Sequence, residues 1–124
     1  MSRSEALPRA PAGTRGPGRA LWTSVVAAFV LDEPELVLLR EAVRTVDLLD
    51  LLDAEVREHG PMVAAAQGQK VNPAAVEARA QRIALARLLA ALRLPLGDDG
   101  DVAAGARPQR RVGVRGTYGV RGVS

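Results

Sequence analysis

The sequence predicts an all-α protein: a short N-terminal helix plus a long antiparallel helical hairpin, between disordered basic tails. Three observations carry this expectation. Apolar residues recur at three- and four-residue spacing through most of residues 20–95. The periodic runs begin at capping residues and stop at Gly60-Pro61 and Leu94-Pro95. Charge is segregated, because the net +3 conceals four arginines against Glu5 in residues 1–20, five arginines and no acid in 107–124, and thirteen acids against eight bases between them.

Residues 1–19 carry Pro8, Pro11, Gly13, Gly16, Pro17 and Gly18, a composition that neither propagates a helix nor offers an apolar face, and they read as a disordered basic arm. In the first helix, over about 20–31, Leu21, Trp22, Val25, Val26, Phe29 and Val30 form one face and leave Thr23 and Ser24 on the other. Asp32 caps the second helix, over about 33–59. Glu35 completes a capping box there, and Pro34 sits in the first turn, where a missing N–H costs nothing. Leu36, Leu39, Val43, Val46, Leu49, Leu52 and Val56 continue the periodicity for about 40 Å, at 1.5 Å per residue.

Residues 60–72 read as a loop or a minimal hairpin, with Met62–Ala64 and Lys70–Val71 around Gln67-Gly68-Gln69. Asn72-Pro73 is an N-cap and first-turn pair, and the third helix runs over about 73–93 through Val76, Ala80, Ile83, Leu85, Leu88, Leu89 and Leu92. Residues 96–124 form a flexible basic Gly/Arg tail that opens on Gly97-Asp98-Asp99-Gly100. A turn centred near residue 66 sets Val56 beside Val76, Leu52 beside Ala80 and Leu49 beside Ile83, with Asp53 level with Arg79 and Asp50 with Arg82.

The only large aromatics are Trp22, Phe29 and Tyr118, so the core must be built from Leu, Val and Ala. A core of that size contributes only about 3–5 kcal/mol, and self-association is expected to supply further burial. With no cysteine, disulfides and thiolate chemistry are excluded. The longest apolar run, Val25–Leu31, is far short of the roughly 20 residues that cross a bilayer. Arg9, Arg15 and Arg19 precede that run as in a signal peptide, but Asp32, Glu33 and Glu35 stand where a small-residue cleavage site belongs, so the expected address is cytoplasmic.

No catalytic, cofactor or metal site is expected. His59, the single histidine, stands at a helix C-terminus, where it offsets the dipole. Asp47, Asp50 and Asp53 step round the helix by about 60° each and fan out as a solvated or Arg-paired face. The glycines at every third position from Gly113 to Gly122 match neither a dinucleotide fingerprint nor a phosphate loop, and four are too few for a collagen helix. The unopposed guanidinium groups with the stacking ring of Tyr118 suit phosphate backbones or an acidic partner. The binding candidates are Arg107, Arg110, Arg111, Arg115 and Arg121, followed by Arg9, Arg15 and Arg19.

Leu31-Asp-Glu-Pro-Glu-Leu through Glu58-His-Gly-Pro61, then Val71-Asn-Pro-Ala-Ala-Val-Glu-Ala-Arg79, then Ala86-Arg-Leu-Leu-Ala-Ala-Leu-Arg-Leu-Pro95 resemble a phage terminase small subunit of actinobacterial phages and prophages. The likeness covers residues 20–97, and Arg107-Pro-Gln-Arg-Arg-Val-Gly-Val-Arg-Gly is also typical. The resemblance implies a DNA-packaging component in the cytoplasm of a bacterial host. Such a subunit forms a homo-oligomeric ring, recognises viral double-stranded DNA and recruits the terminase large subunit, which holds the ATPase and nuclease. The family's frequent N-terminal helix-turn-helix has no counterpart here, where a basic arm precedes the first helix. The alternative reading is a helical protein–protein adaptor with no nucleic-acid role.

Overall fold

The computed structural model describes residues 6–95. In order they form α1 (Gly16–Ala28), α2 (Glu33–His59), β1 (Met62–Ala65), β2 (Gly68–Val71) and α3 (Pro73–Leu92). The fold is therefore mostly helical but not purely all-α, because a two-stranded antiparallel ribbon joins α2 to α3. The expected tail over 96–124 lies outside the described residues. Among the described residues, no helix is long and apolar enough to cross a membrane.

Local chemistry sets the ends of α2. The Asp32 carboxylate accepts from the Glu35 backbone N–H at 3.1 Å, and the Glu35 carboxylate accepts from the Asp32 N–H at 2.8 Å, a complete capping box. Leu31, immediately before the cap, belongs to the core cluster and Leu36, four residues beyond the cap, packs against it, the placement a hydrophobic staple requires. At the other end Gly60 takes φ +85 and its N–H closes the last turn on the Val56 carbonyl.

Asn72 fastens the start of α3 to the end of α2. Its side-chain oxygen accepts from Ala74 N–H at 2.9 Å, its amide donates to the Gly60 carbonyl at 2.8 Å, and its backbone N–H donates to the Pro61 carbonyl at 2.7 Å. The ribbon between them pairs Met62 with Val71 through Ala65 with Gly68, leaving Ala66 and Gln67 as the turn. At its far end α3 stops on Arg93 in the left-handed conformation (φ 54, ψ 43), with its N–H shared between the Leu89 and Ala90 carbonyls.

Trp22, Val25 and Val26 of α1, Leu39 and Val43 of α2, Leu92 of α3 and the linker residue Leu31 make one buried cluster. Leu39, Val43 and Leu92 are its fully enclosed side chains.

The ion pair between α2 and α3 departs from the expected register. Arg82 reaches Asp53 at 2.8 Å, whereas level positions paired Arg82 with Asp50 and Arg79 with Asp53. Helical side chains lean toward their own N-terminus. A long arginine on α3 therefore reaches about one turn toward the ribbon and meets the next carboxylate along α2.

The structure also corrects the N-terminal arm. The first helix begins at Gly16 and ends at Ala28, not at 20 and 31, so Arg19 and its neighbours are helical. A cap from another helix explains the early start. Arg15 occupies the N-cap position with no capping side chain of its own, and the Asp47 carboxylate of α2 accepts from Arg15 N–H at 2.6 Å and from Gly18 N–H at 2.7 Å. Asp47 is buried in consequence, at 8% exposure, not solvated.

A Cβ on Gly18 would stand 2.7 Å from both Asp47 carboxylate oxygens. Gly18→Ala is therefore expected to destabilise the fold by about 2 kcal/mol, as is Asp47→Ala, through loss of a buried cap. The double variant should cost clearly less than the sum, because each substitution disables one interaction. Urea titration followed by helical circular dichroism measures all three, and simple additivity would contradict the shared cap.

Candidate nucleic-acid interface

Residues 6–15 pack back along α1. The turn Pro11-Ala12-Gly13-Thr14 closes through Thr14 N–H to the Pro11 carbonyl at 3.2 Å, and the Thr14 hydroxyl donates to the same oxygen. Gly13 at the third position has φ +83, the conformation a type II turn demands there. Upstream of the turn, buried Trp22 donates its indole N–H to the Pro8 carbonyl at 3.0 Å, and Ala10 packs on the core cluster. A tryptophan needs an acceptor when buried, and this arm supplies it.

The three arginines expected to bind in this region have different surroundings. Arg15 places its guanidinium 4.0 Å from the Asp50 carboxylate, half exposed, so screening leaves that pair little energy. Arg19 donates to the Thr14 carbonyl at 3.1 Å and helps hold the turn. Arg9 is exposed and has no ion-pair partner among the described residues.

Arg9 and Arg19 line one open cleft of about 530 Å³ between the arm and α1, with Trp22 and Thr23 in its wall and no carboxylate among its described lining residues. Arg15 faces a separate cleft of about 230 Å³, where Arg44 and Asp47 also stand. The structure thus brings Arg9 and Arg19 together and leaves Arg15 apart. Arg107, Arg110, Arg111, Arg115 and Arg121 lie outside the described residues.

The acidic repeat has no common target. Asp47 caps α1, Asp50 faces Arg15 and Asp53 binds Arg82. His59 meets Glu55 one turn back at 2.7 Å on the exposed surface of the last turn of α2. Sequence reasoning did not single out a third concavity, an apolar groove of about 510 Å³ between α1 and α3 lined by Leu21, Val25, Phe29, Leu89 and Leu94 with Arg93 at its rim. The two contributing helices were legible, but their mutual packing carries no local signal.

Compared with protein-family models, with curated proteins and with solved structures, the chain matches none.

The bond from Trp22 to Pro8 gives the arm an optical reporter, since Trp22 is the single tryptophan. Deleting residues 1–10 is expected to move tryptophan emission to longer wavelength and to increase its quenching by iodide, while most helical ellipticity remains. Unchanged emission would contradict the docked arm.

Proposed function

We propose that the chain is a phage terminase small subunit, the family its sequence resembles. In this reading it is a non-catalytic packaging component acting in the cytoplasm of the bacterial host. It binds viral double-stranded DNA through arginines, assembles into a homo-oligomeric ring through an antiparallel helical hairpin of α2 and α3, and recruits the large ATPase/nuclease subunit. The observation that carries the DNA-binding part is the cleft that sets Arg9 and Arg19 together without a carboxylate among its described lining residues. Two arginines with Thr23 among the lining residues suit phosphate oxygens, which accept hydrogen bonds and attract positive charge. Contacts with Arg107, Arg110, Arg111, Arg115 and Arg121 would extend the same footprint along the duplex.

The apolar groove between α1 and α3 favours the second reading, a helical protein–protein adaptor, because its lining is mainly aliphatic and aromatic. The two readings diverge in their salt dependence.

Each phosphate contact contributes about 0.9 to the slope of log affinity against log salt on duplex DNA. Arg9→Ala with Arg19→Ala is expected to reduce the slope by roughly 2, and deletion of residues 107–124 by roughly 4, in fluorescence-anisotropy titrations at several salt concentrations. Binding with no salt dependence, or no loss in either variant, would overturn the DNA reading in favour of the adaptor.

A further inference from the structure

α3 carries apolar residues on every side, between scattered charges. Fourteen of its residues from Pro73 to Leu92 are Ala, Val, Ile or Leu, yet only Ala78 and Leu92 are buried. A helix packed on one side of a monomer needs an apolar stripe only about 100° wide, whereas apolarity all round belongs to a helix covered on more than one side. At about 100° per residue, Val76, Ala80 and Ile83 share one stripe, opposite the buried Ala78 and Leu92. Val76 and Ile83 are 51% and 49% exposed. Arg87 continues the same stripe and Arg79 borders it, and neither has a carboxylate partner among the described residues.

α2 carries a second exposed stripe whose net charge is opposite. Val37, Glu41, Arg44, Leu48, Leu51, Glu55 and Glu58 recur at three- and four-residue spacing, and all are exposed. Glu41 pairs with Arg44 at 2.6 Å and Glu55 with His59 at 2.7 Å, and three carboxylates against one arginine leave the stripe net acidic. They lie on the side of α2 roughly opposite Asp53, the residue that faces α3. The two stripes therefore point away from each other across the α2–α3 layer. One is apolar and basic, the other apolar and acidic.

We infer that these two faces bind each other between copies of this chain, the α3 face of one molecule docking on the α2 face of the next. The occupant of each face is a second copy because the chain carries both halves of a charge-complementary apolar pair, and their opposed directions prevent them from meeting within one molecule. A contact between two different faces is heterologous, and its repetition generates a ring or an open chain instead of a two-fold dimer. The inference rests on the self-association in the reading above and names the surfaces that perform it.

Leu51→Asp damages only the α2 face and Ile83→Asp only the α3 face. Both positions are half exposed, so the fold is retained, and circular dichroism verifies that. In light scattering on the full chain, wild type is expected to run as an oligomer and each variant at the mass of a single chain. Mixed in equal amounts, the variants should form a species of twice that mass and no larger, because each still offers one intact face to the other. Oligomers that persist in both variants would overturn the assigned faces while leaving self-association standing. Variants that dissociate but do not combine on mixing would overturn the heterologous geometry. A wild type that stays monomeric at all concentrations would overturn both the inference and the assembly part of the reading it rests on.

Discussion

A helix begins with backbone N–H groups that have no partner inside it and with a partial positive charge from its aligned peptide dipoles. α1 begins at Gly16 with no acidic residue in its first turn and no capping side chain at Arg15. Its terminus is satisfied instead by Asp47, which belongs to the middle of a helix about thirty residues further along the chain. The carboxylate can approach because Gly18 has no side chain to obstruct it. That contact fixes where α1 starts and which way it points. Trp22 is then directed into the core, and the Pro8 carbonyl closes over its indole N–H. The position of the arm and the pairing of Arg9 with Arg19 at one cleft depend on the same carboxylate.

The elements that could be read from the sequence are those whose causes are local. The Asp32–Glu35 box and the Asn72-Pro73 pair act within three residues of where they are written, and both caps form. Apolar periodicity likewise nominated Trp22, Val25, Val26, Leu39, Val43 and Leu92, which are buried, but also Val76 and Ile83, which are half exposed instead of packed level with Val56 and Leu49. What sequence missed has distant causes. Glycine and proline in residues 8–18 predict disorder only if no other segment supplies hydrogen-bond partners, and Asp47 and Trp22 supply them. The missing cap at Arg15 was the available sign that a helix starting at Gly16-Pro17 requires an acid from elsewhere. Of the candidate binding residues, the sequence identified Arg9, Arg15 and Arg19 by charge alone. That Arg15 leans toward Asp50 while Arg19 holds Thr14 follows from packing.

Cohesion between α2 and α3 comes mainly from apolar burial at one end and from Asn72 at the other. The Asp53–Arg82 pair is exposed, and such pairs are worth at most about 1 kcal/mol. Removing one of the enclosed residues Leu39 or Leu92 deletes atoms from a close-packed site, where truncation to Ala costs about 2–5 kcal/mol. Asn72 acts differently, because its donor and its acceptor are both used in joining two helix termini. It fixes the crossing point of the chain and contributes little buried apolar surface.

The core cluster gathers where α1, the first half of α2 and the end of α3 meet, while the ribbon projects from the other end of α2, with Met62 and Val71 exposed. The two ends of the molecule thus differ in how much change their packing tolerates. Near the core, a residue gained or lost would rotate a buried face out of place. At the Ala66-Gln67 turn, additional residues would displace no enclosed side chain and break no capping bond. The ribbon tip is consequently the place where a lineage could lengthen this chain, or an engineer could graft a foreign peptide, while the hydrophobic cluster stays as it is.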